Sequence, residues 1–209
     1  ALAGIIMDDT SKTIVFSKNP VLRFSLASTT KIMTALAALE YYKMDDILTI
    51  KTDDIEGSVA GFKKGEKISF ENLLYAMLLP SANDAALAIA DNYPGGEKEF
   101  VKKMNEKALS LRLYSTHFAD SNGLDDSQNY TTVTDLANLA SAAIKNNIFS
   151  KVVSTKIKII SDIGNSNVYV LKNLNKLLGV QGINGIKTGY TDEAGGVLVT
   201  SEMQDAHRL

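Results

Sequence analysis

The stretch "LASTTKIMTALAALE", residues 26–40, predicts a helix that is apolar on nearly every side. A helix of this kind belongs in the core of a protein. Ser28 stands near its start and Lys31 follows three residues later, so the two side chains are neighbours on one helical face. Poor solvation disfavours the charged form of a lysine and lowers its pKa. The sequence therefore places a serine hydroxyl beside an amine that can be neutral.

This pair has two interpretations. A neutral amine next to a serine hydroxyl can take its proton and create a nucleophile, and the N-terminal end of a helix stabilises negative charge that develops there. The alternative is structural: Ser28 caps the helix, and Lys31 extends its charged end toward the surface. Because S-x-x-K is a short pattern, both interpretations stay open when these two residues are taken alone.

The composition excludes several classes of protein. The chain has 209 residues, of which 45% are hydrophobic, so one sizeable domain can form. Its formal net charge of −2 gives no indication of nucleic-acid binding. It contains no cysteine, which excludes disulfides and thiolate catalysis, and its two histidines argue against a zinc site. No apolar run reaches the roughly 18 residues of a membrane-spanning helix.

The predicted elements run from strands to helices and back to strands, which indicates an α+β fold. The early strands are "AGIIM", "TIVFS" and "ILTI", the helices are "FENLLYAMLL", "NDAALAIADNY", "GEKEFVKKMNEKALSLRL" and "TVTDLANLASAAIKNN", and the late strands are "KIKII", "VYVL", "INGIKT" and "GGVLVTS". We expect residues of about 1–50 and 155–209 to share one mixed sheet. A helical subdomain of about 51–154 would be inserted between them, with a ligand groove where the two parts meet.

Two further patterns supply polar groups for that groove. A proline ends the helix before Ser81 and Asn83, so these residues lie on a turn that can aim a hydroxyl and an amide into it. Both are also ordinary turn and capping residues. In "IKTG", Lys187 can supply positive charge for an anion, and Thr188 can hydrogen-bond a carboxylate. Gly189 leaves the strand edge open to a peptide backbone.

The patterns S-x-x-K, S-x-N and K-T-G occur in this order on a buried helix, after a helix break and at the end of a strand. Class A β-lactamases and penicillin-binding proteins share this set. The chain resembles the low-molecular-mass penicillin-binding proteins, the serine-type D-alanyl-D-alanine carboxypeptidases, over nearly all its length. The stretches that carry the resemblance are "LASTTKIMTALAALE", "AGFKKGEKISFENLLYAMLLPSANDAALAIAD", "FVKKMNEKALSLRLYSTHFADSNGLDD", "YTTVTDLANLA" and "GINGIKTGYTDEAGGVLVTS".

The resemblance implies a fold and a set of catalytic roles. The fold would be penicillin-binding or β-lactamase-like, with the active site between a mixed sheet and a helical subdomain. Ser28 would be the acylated nucleophile, Lys31 its base, and Ser81 a proton relay. The backbone N–H groups of Ser28 and Tyr190 would form the oxyanion hole, in which one donor is typically worth about 10²–10³ in rate.

The same resemblance implies how substrate is bound and what reaction follows. Asn83 would hold the substrate amide, Lys187 and Thr188 the substrate carboxylate, and Gly189 would leave room beside them. The substrate would be a peptidoglycan stem peptide ending in D-Ala-D-Ala, which loses its terminal D-alanine through an acyl-enzyme. β-Lactams would acylate the same serine. Neither a cofactor nor a metal is implied, and the location would be extracytoplasmic, at the cell surface or in the periplasm.

Two other functions remain open at this stage. A class A-like β-lactamase would add a glutamate in an E-x-x-L-N segment, which we do not find between the second and third motifs. A non-catalytic penicillin-binding sensor could keep all three motifs. His117, with Asp120 and Asp125 near it, could suggest a Ser-His-Asp triad, but nearness in sequence means little for a triad. We predict a structural role for His117.

The resemblance also implies parts that lie outside these 209 residues. They are a further strand, an arginine near the substrate carboxylate, a β-rich second domain and a C-terminal amphipathic membrane anchor. We therefore expect the chain to be truncated at its C-terminus, with reduced stability and activity, and to lack a targeting segment that was removed. Contact with a membrane would be made only through segments absent from the chain.

Overall fold

The computed structural model describes residues 1–124, 127–204 and 207–209. The helices are α1 (Thr30–Leu39), α2 (Phe70–Leu78), α3 (Asn83–Asn92), α4 (Gly96–Ser110), α5 (Val133–Ile144) and α6 (Asn147–Val153). The strands are β1 (Gly4–Met7), β2 (Ile14–Lys18), β3 (Phe24–Ser25), β4 (Ile47–Thr49), β5 (Lys67–Ser69), β6 (Tyr130–Thr131), β7 (Ile157–Ser161), β8 (Val168–Lys172), β9 (Ile183–Thr191), β10 (Gly195–Gln204) and β11 (His207–Arg208). This order confirms the predicted α+β class. Helix α6 and the short strands β3, β5, β6 and β11 were not predicted from the sequence.

Helix α1 passes through the centre of the helical part. Every residue from Thr30 to Ala38 is buried, as its apolar sequence predicted. It packs against α2, α3, α4 and α5. Lys31 is the one charged residue within the helix, and it is 0% exposed. The central position of α1 therefore gives Lys31 the dry surroundings that the sequence indicated.

The surrounding helices begin and end at residues that suit those positions. Ser69 caps α2 by accepting a hydrogen bond from the backbone N–H of Asn72 at 3.3 Å, and Thr132 caps α5 by accepting from Asp135 at 3.2 Å. Pro80 follows α2 closely, where a helix cannot continue. Within the described residues, no helix is long and apolar enough to cross a membrane.

The strands differ from the expected single mixed sheet. In the part of the chain that the structure describes, every strand pair is antiparallel, and β1–β2 forms a sheet separate from β11–β10–β9. Short connections such as those of β1–β2, β7–β8 and β9–β10 join antiparallel neighbours, whereas parallel pairing needs a long crossover. The two sheets are bridged where the Asp9 N–H donates to the Arg208 carbonyl at 2.8 Å.

A cavity of about 830 Å³ separates the two sheets. Residues of β1 such as Ile5 line it on one side, and residues of β10 such as Val199 line it on the other. In the described residues β1 pairs with β2, and β10 pairs with β9 and β11, so β1 and β10 form no ladder with each other across this space. The proposed division into subdomains at about residues 50 and 155 stays a prediction.

Replacing Phe100 with alanine should lower the free energy of unfolding by about 3–5 kcal/mol, because it leaves a cavity in the core. Phe100 is fully buried on α4, and its ring meets that of Tyr93 edge-on at 5.4 Å between centroids. Leu109 on the same helix is 63% exposed, so Leu109→Ala should change the free energy by only about 0.5 kcal/mol. Urea unfolding measures both values, and equal losses would contradict the burial described for α4.

Candidate active site

Ser28 lies in a tight turn that leads the chain into α1. Ala27–Thr29 form a single 3-10 turn, and α1 begins at the next residue. Ala27 has a φ of +47°, a left-handed conformation that costs a non-glycine residue on the order of 1–3 kcal/mol. It is fully buried, so the packing around it holds this conformation. The turn leaves Ser28 half-buried at the N-terminal end of the central helix.

The amine of Lys31 is surrounded by oxygen atoms. Its Nζ lies 3.0 Å from Ser28 Oγ, 2.7 Å from Asn83 Oδ1 and 2.5 Å from the backbone carbonyl oxygen of Asn122. None of these three oxygen atoms belongs to a carboxylate. The structure thus brings the predicted serine, lysine and asparagine together and adds a fourth residue.

Burial lowers the pKa of Lys31 well below that of an ordinary lysine. The positive charge of Lys187 lowers it further, whereas the negative charges of Asp120 and Asp84 raise it. Desolvation is the largest of these effects. The site therefore favours a neutral amine beside the Ser28 hydroxyl, which is the state that a general base requires.

Asn83 is the first residue of α3, directly after the predicted turn. Its Nδ2 donates to the carbonyl of Glu56 at 2.7 Å, and its backbone N–H donates to the carbonyl of Ser58 at 2.6 Å. The first of these bonds orients the side-chain amide so that Oδ1 faces Lys31. The segment around Glu56 and Ser58 thus fixes one contact of the buried amine.

Ser81 lies on the turn between α2 and α3, where the sequence predicted it. Its φ is +67°, which is rare outside glycine, and its side chain is buried. Among the described residues, Ser81 Oγ has no hydrogen-bond partner. Leaving a buried hydroxyl unpaired costs about 1–3 kcal/mol. A group bound next to Ser81 could supply the missing partner.

Asp84, which the sequence analysis did not select, organises the segment beside Asn83. Its buried carboxylate accepts hydrogen bonds from the backbone N–H groups of Ala60 at 3.0 Å, Gly61 at 2.9 Å and Phe62 at 3.2 Å. These bonds tie the segment to the first turn of α3. The carboxylate of Asp84 accepts hydrogen bonds from backbone N–H groups. Among the described residues it makes no hydrogen bond to Lys31.

Strand β9 carries the third predicted motif. Lys187 is buried, and its Nζ donates to the carbonyl of Thr188 at 2.7 Å. Burial lowers the pKa of Lys187 to about 7. No carboxylate pairs with Lys187 in the part of the chain that the structure describes. A buried cation without a counter-charge is suited to an incoming anion.

The same strand packs directly against the Ser28 turn. A Cβ atom added to Gly189 would lie 3.1 Å from the Ala27 Cβ and 3.1 Å from the Ser28 backbone nitrogen. Contacts this short are tighter than most side chains allow. β9 therefore approaches the turn of the candidate nucleophile closely at Gly189, and the neighbouring Tyr190 is 71% exposed.

A turn at residues 120–124, which the sequence analysis missed, completes the site. It supplies the Asn122 carbonyl to Lys31, and Thr34 of α1 donates its hydroxyl to the preceding carbonyl, that of Ser121, at 2.6 Å. A general rule could have indicated such a group. An ammonium has three N–H donors, and in the structure the motif residues supply only two of the acceptors at Lys31, Ser28 Oγ and Asn83 Oδ1.

His117 lies apart from this cluster of contacts. Its Nδ1 is 2.8 Å from the carbonyl of Gln128, and its ring stacks on Tyr130 at 5.9 Å between centroids. Asp120 binds backbone N–H groups instead of the imidazole, and Asp125 lies outside the described residues. Within the described ranges, no group of three histidine or acidic side chains is arranged to hold a metal ion.

Comparison with known proteins assigns this arrangement to a family. The model of the family Peptidase_S11, described as D-alanyl-D-alanine carboxypeptidase, matches residues 1–209. The chain belongs to this family. The resemblance recognised in its motifs is thereby confirmed.

Individual relatives agree with this assignment. The chain is 37% identical to a D-alanyl-D-alanine carboxypeptidase of Streptomyces sp. strain K15, over 93% of this chain and 73% of that protein. It is 34% identical to the D-alanyl-D-alanine carboxypeptidase DacF of Bacillus subtilis, over 92% of this chain and about half (51%) of that one. The crystal structure of the Streptomyces K15 DD-transpeptidase superposes with a TM-score of 0.93 at 35% identity, covering 100% of this chain and 87% of the other.

Replacing Gly123 with alanine should lower the melting temperature by several degrees. Gly123 has a φ of +80°, and an added Cβ would lie 2.0 Å from the Ala27 carbonyl oxygen, so the turn before Ser28 must move. Gly196 of β10 is the matched control, because a Cβ added there meets no atom within 4 Å. Thermal unfolding of both variants checks this. An unchanged melting temperature for Gly123→Ala would show that the two turns are not packed as described.

Proposed function

We propose that the chain is a serine-type D-alanyl-D-alanine carboxypeptidase that removes the terminal D-alanine of peptidoglycan stem peptides. The observation that carries this proposal is the 3.0 Å contact between Ser28 Oγ and the fully buried Nζ of Lys31. Family membership over residues 1–209 supports it. The reaction would pass through an ester between Ser28 and the penultimate D-alanine, and β-lactams would acylate the same hydroxyl.

In the acylation step, neutral Lys31 would accept the proton of Ser28 as Oγ attacks the carbonyl carbon of the penultimate D-alanine. The peptide C–N bond then breaks, and the terminal D-alanine leaves with a proton on its nitrogen. Ser81 would relay that proton, a role supported by its buried hydroxyl without a hydrogen-bond partner in the described residues. Water then hydrolyses the ester and restores Ser28.

Two backbone N–H groups would stabilise the negative charge on the carbonyl oxygen during this attack. They belong to Ser28 and Tyr190. Gly189, the residue before Tyr190, lies close to the Ser28 nitrogen, which supports the proposal that the two N–H groups act on the same oxygen. Donors of this kind are fixed before the reaction begins, so they stabilise the developing charge without reorganisation.

Substrate binding would use the remaining predicted residues. Asn83 would accept or donate a hydrogen bond at the substrate amide, and Lys187 with Thr188 would hold the terminal carboxylate. The support for the carboxylate site is that Lys187 is buried and pairs with no carboxylate in the described ranges. A carboxylate bound there would meet a charge that water does not screen.

The substrate also implies where the complete protein works. Peptidoglycan lies outside the cytoplasmic membrane, so we propose an extracytoplasmic location, with any membrane anchor in segments outside this chain. The chain covers 73% and 51% of two relatives, and the activity of the whole protein is part of this proposal.

A second reaction is favoured by one neighbour, the solved structure named a DD-transpeptidase. In that reaction an amine, instead of water, would take the acyl group from Ser28. Incubation of a D-Ala-D-Ala peptide with and without a glycine acceptor separates the two reactions, since transfer yields a new peptide and hydrolysis yields only the shortened one.

Two other outcomes would indicate other functions. Rapid turnover of penicillin would indicate a β-lactamase, and no release of D-alanine would indicate a non-catalytic sensor.

Substitution of the two central residues tests the nucleophile and the base. Ser28→Ala should abolish the covalent adduct with fluorescent penicillin. Lys31→Ala should slow adduct formation by at least about 10²-fold, at the lower end of general-base contributions. Lys31→Arg should not restore it, because a guanidinium stays charged. Mass spectrometry of the adduct measures all three, with His117→Ala as the control. Labelling of Ser28→Ala would overturn the assignment.

The pH dependence of hydrolysis tests Lys187. Its lowered pKa means that the charge is present below about pH 7 and is lost as pH rises through that value. The kcat/KM for a D-Ala-D-Ala peptide should therefore fall above about pH 7, since this ratio reports ionisations of the free enzyme. In Lys187→Arg the fall should move to much higher pH. The same profile in both proteins would assign the titration to another group.

A further inference from the structure

Only one of the three oxygen atoms around the Lys31 amine carries a hydrogen. Asn83 Oδ1 and the Asn122 carbonyl accept hydrogen bonds and cannot donate, whereas Ser28 Oγ can do both. A neutral amine has two N–H groups and one lone pair. When Asn83 and Asn122 take the two N–H groups, the lone pair is left facing the Ser28 hydroxyl.

The Asn122 carbonyl is therefore as important to this geometry as the Asn83 side chain. Without it, one N–H of the amine would turn to Ser28 Oγ, and the lone pair would lose its defined direction. A backbone carbonyl is present at every residue, so its position depends on the turn that presents it. Any group that fixes this turn therefore also fixes the Asn122 carbonyl.

The carboxylate of Asp120 holds this turn. Its Oδ1 accepts hydrogen bonds from the backbone N–H groups of Asn122 at 2.9 Å and Gly123 at 2.5 Å. Its Oδ2 accepts a bond from Asn129 Nδ2 at 2.7 Å. Asn129 in turn accepts from the Ala119 N–H at 2.7 Å, so the carboxylate and the amide together close the turn.

We propose that Asp120 is a positioning residue for proton transfer from Ser28 to Lys31. Its carboxylate orients the Asn122 carbonyl, which takes one N–H of the amine and leaves the lone pair on the serine hydroxyl. This inference rests on the proposed function and adds to it a residue outside the three motifs. Among the described residues, Asp120 bonds to the turn and to Asn129 and makes no hydrogen bond to Ser28, so it acts through the turn.

Asp120 also acts on Lys31 through its charge, which gives a readout that a purely structural residue would not change. The charged groups that affect Lys31 are Lys187, which lowers its pKa, and Asp120 and Asp84, which raise it, while burial lowers it most. Removing the charge at position 120 therefore lowers the pKa of Lys31 further. The acid side of the pH profile of acylation should move to lower pH.

The experiment compares penicillin acylation rates across pH for the parent chain and three variants. Asp120→Ala removes the bonds to the turn and should lower the plateau rate by about 10²-fold, the cost of displacing a catalytic group slightly. Asp120→Asn keeps one oxygen for the two backbone N–H groups but places its amide against that of Asn129, so its plateau should fall less. Both should show the shifted acid side. Asp45→Asn, at an exposed carboxylate, is the charge control and should match the parent.

The third variant combines Asp120→Asn with Asn129→Asp. The new amide at position 120 can accept from the turn and donate to the new carboxylate at position 129, so the hydrogen bond between the two side chains is restored in reverse. We expect the plateau to return to within about fivefold of the parent value. Circular dichroism and melting temperature verify folding, and this exchange variant decides the question if Asp120→Ala fails to fold.

Two results would overturn the inference. One is a plateau within about twofold of the parent in folded Asp120→Ala, and the other is an exchange variant no faster than Asp120→Asn. Ser28→Ala is measured alongside to separate this inference from the proposed function. If Ser28→Ala is not labelled while the Asp120 variants behave like the parent, only the positioning role fails. If Ser28→Ala is labelled, the proposed function itself fails.

Discussion

The buried amine of Lys31 is the constraint on which the rest of this structure depends. A charged ammonium in an apolar interior is costly, and a lysine can avoid that cost by losing its proton. Helix α1 supplies the apolar interior, because its residues from Thr30 to Ala38 are all buried. Three oxygen atoms satisfy the amine without a carboxylate among them. The result is a base kept dry next to a serine hydroxyl.

The two carboxylates that influence Lys31 illustrate how this state is maintained. In direct contact, Asp84 or Asp120 would favour the charged ammonium and weaken the base. Both instead accept hydrogen bonds from backbone N–H groups, Asp84 in the segment 60–62 and Asp120 in the turn 120–124. Their negative charge is thereby stabilised at a distance from the amine, and the loops that they organise present neutral oxygen atoms to Lys31.

Much of this arrangement was predictable because its signals are local in the sequence. Continuous apolar residues over 26–40 predicted the buried helix, and the spacing of Ser28 and Lys31 predicted their contact. A helix-ending proline placed Ser81 and Asn83 after a break, and the β-rich segments "INGIKT" and "GGVLVTS" predicted strands β9 and β10. The order of the three motifs predicted the family that the comparisons confirm. The roles of these residues in catalysis stay predictions.

The sequence by itself determined which residues carry reactive groups and which helix is buried, since side-chain chemistry and periodicity are properties of neighbouring residues. Only the tertiary structure decided which backbone groups complete the site. The carbonyl of Asn122 has no residue-type signature, because every residue has a carbonyl, and its direction depends on how Asp120 closes a turn about 90 residues away from Lys31 along the chain. The strand patterns also could not predict that the strands form separate sheets, since alternation identifies a strand but not its partner. Long-range contacts set both features, and they form only when distant segments pack together.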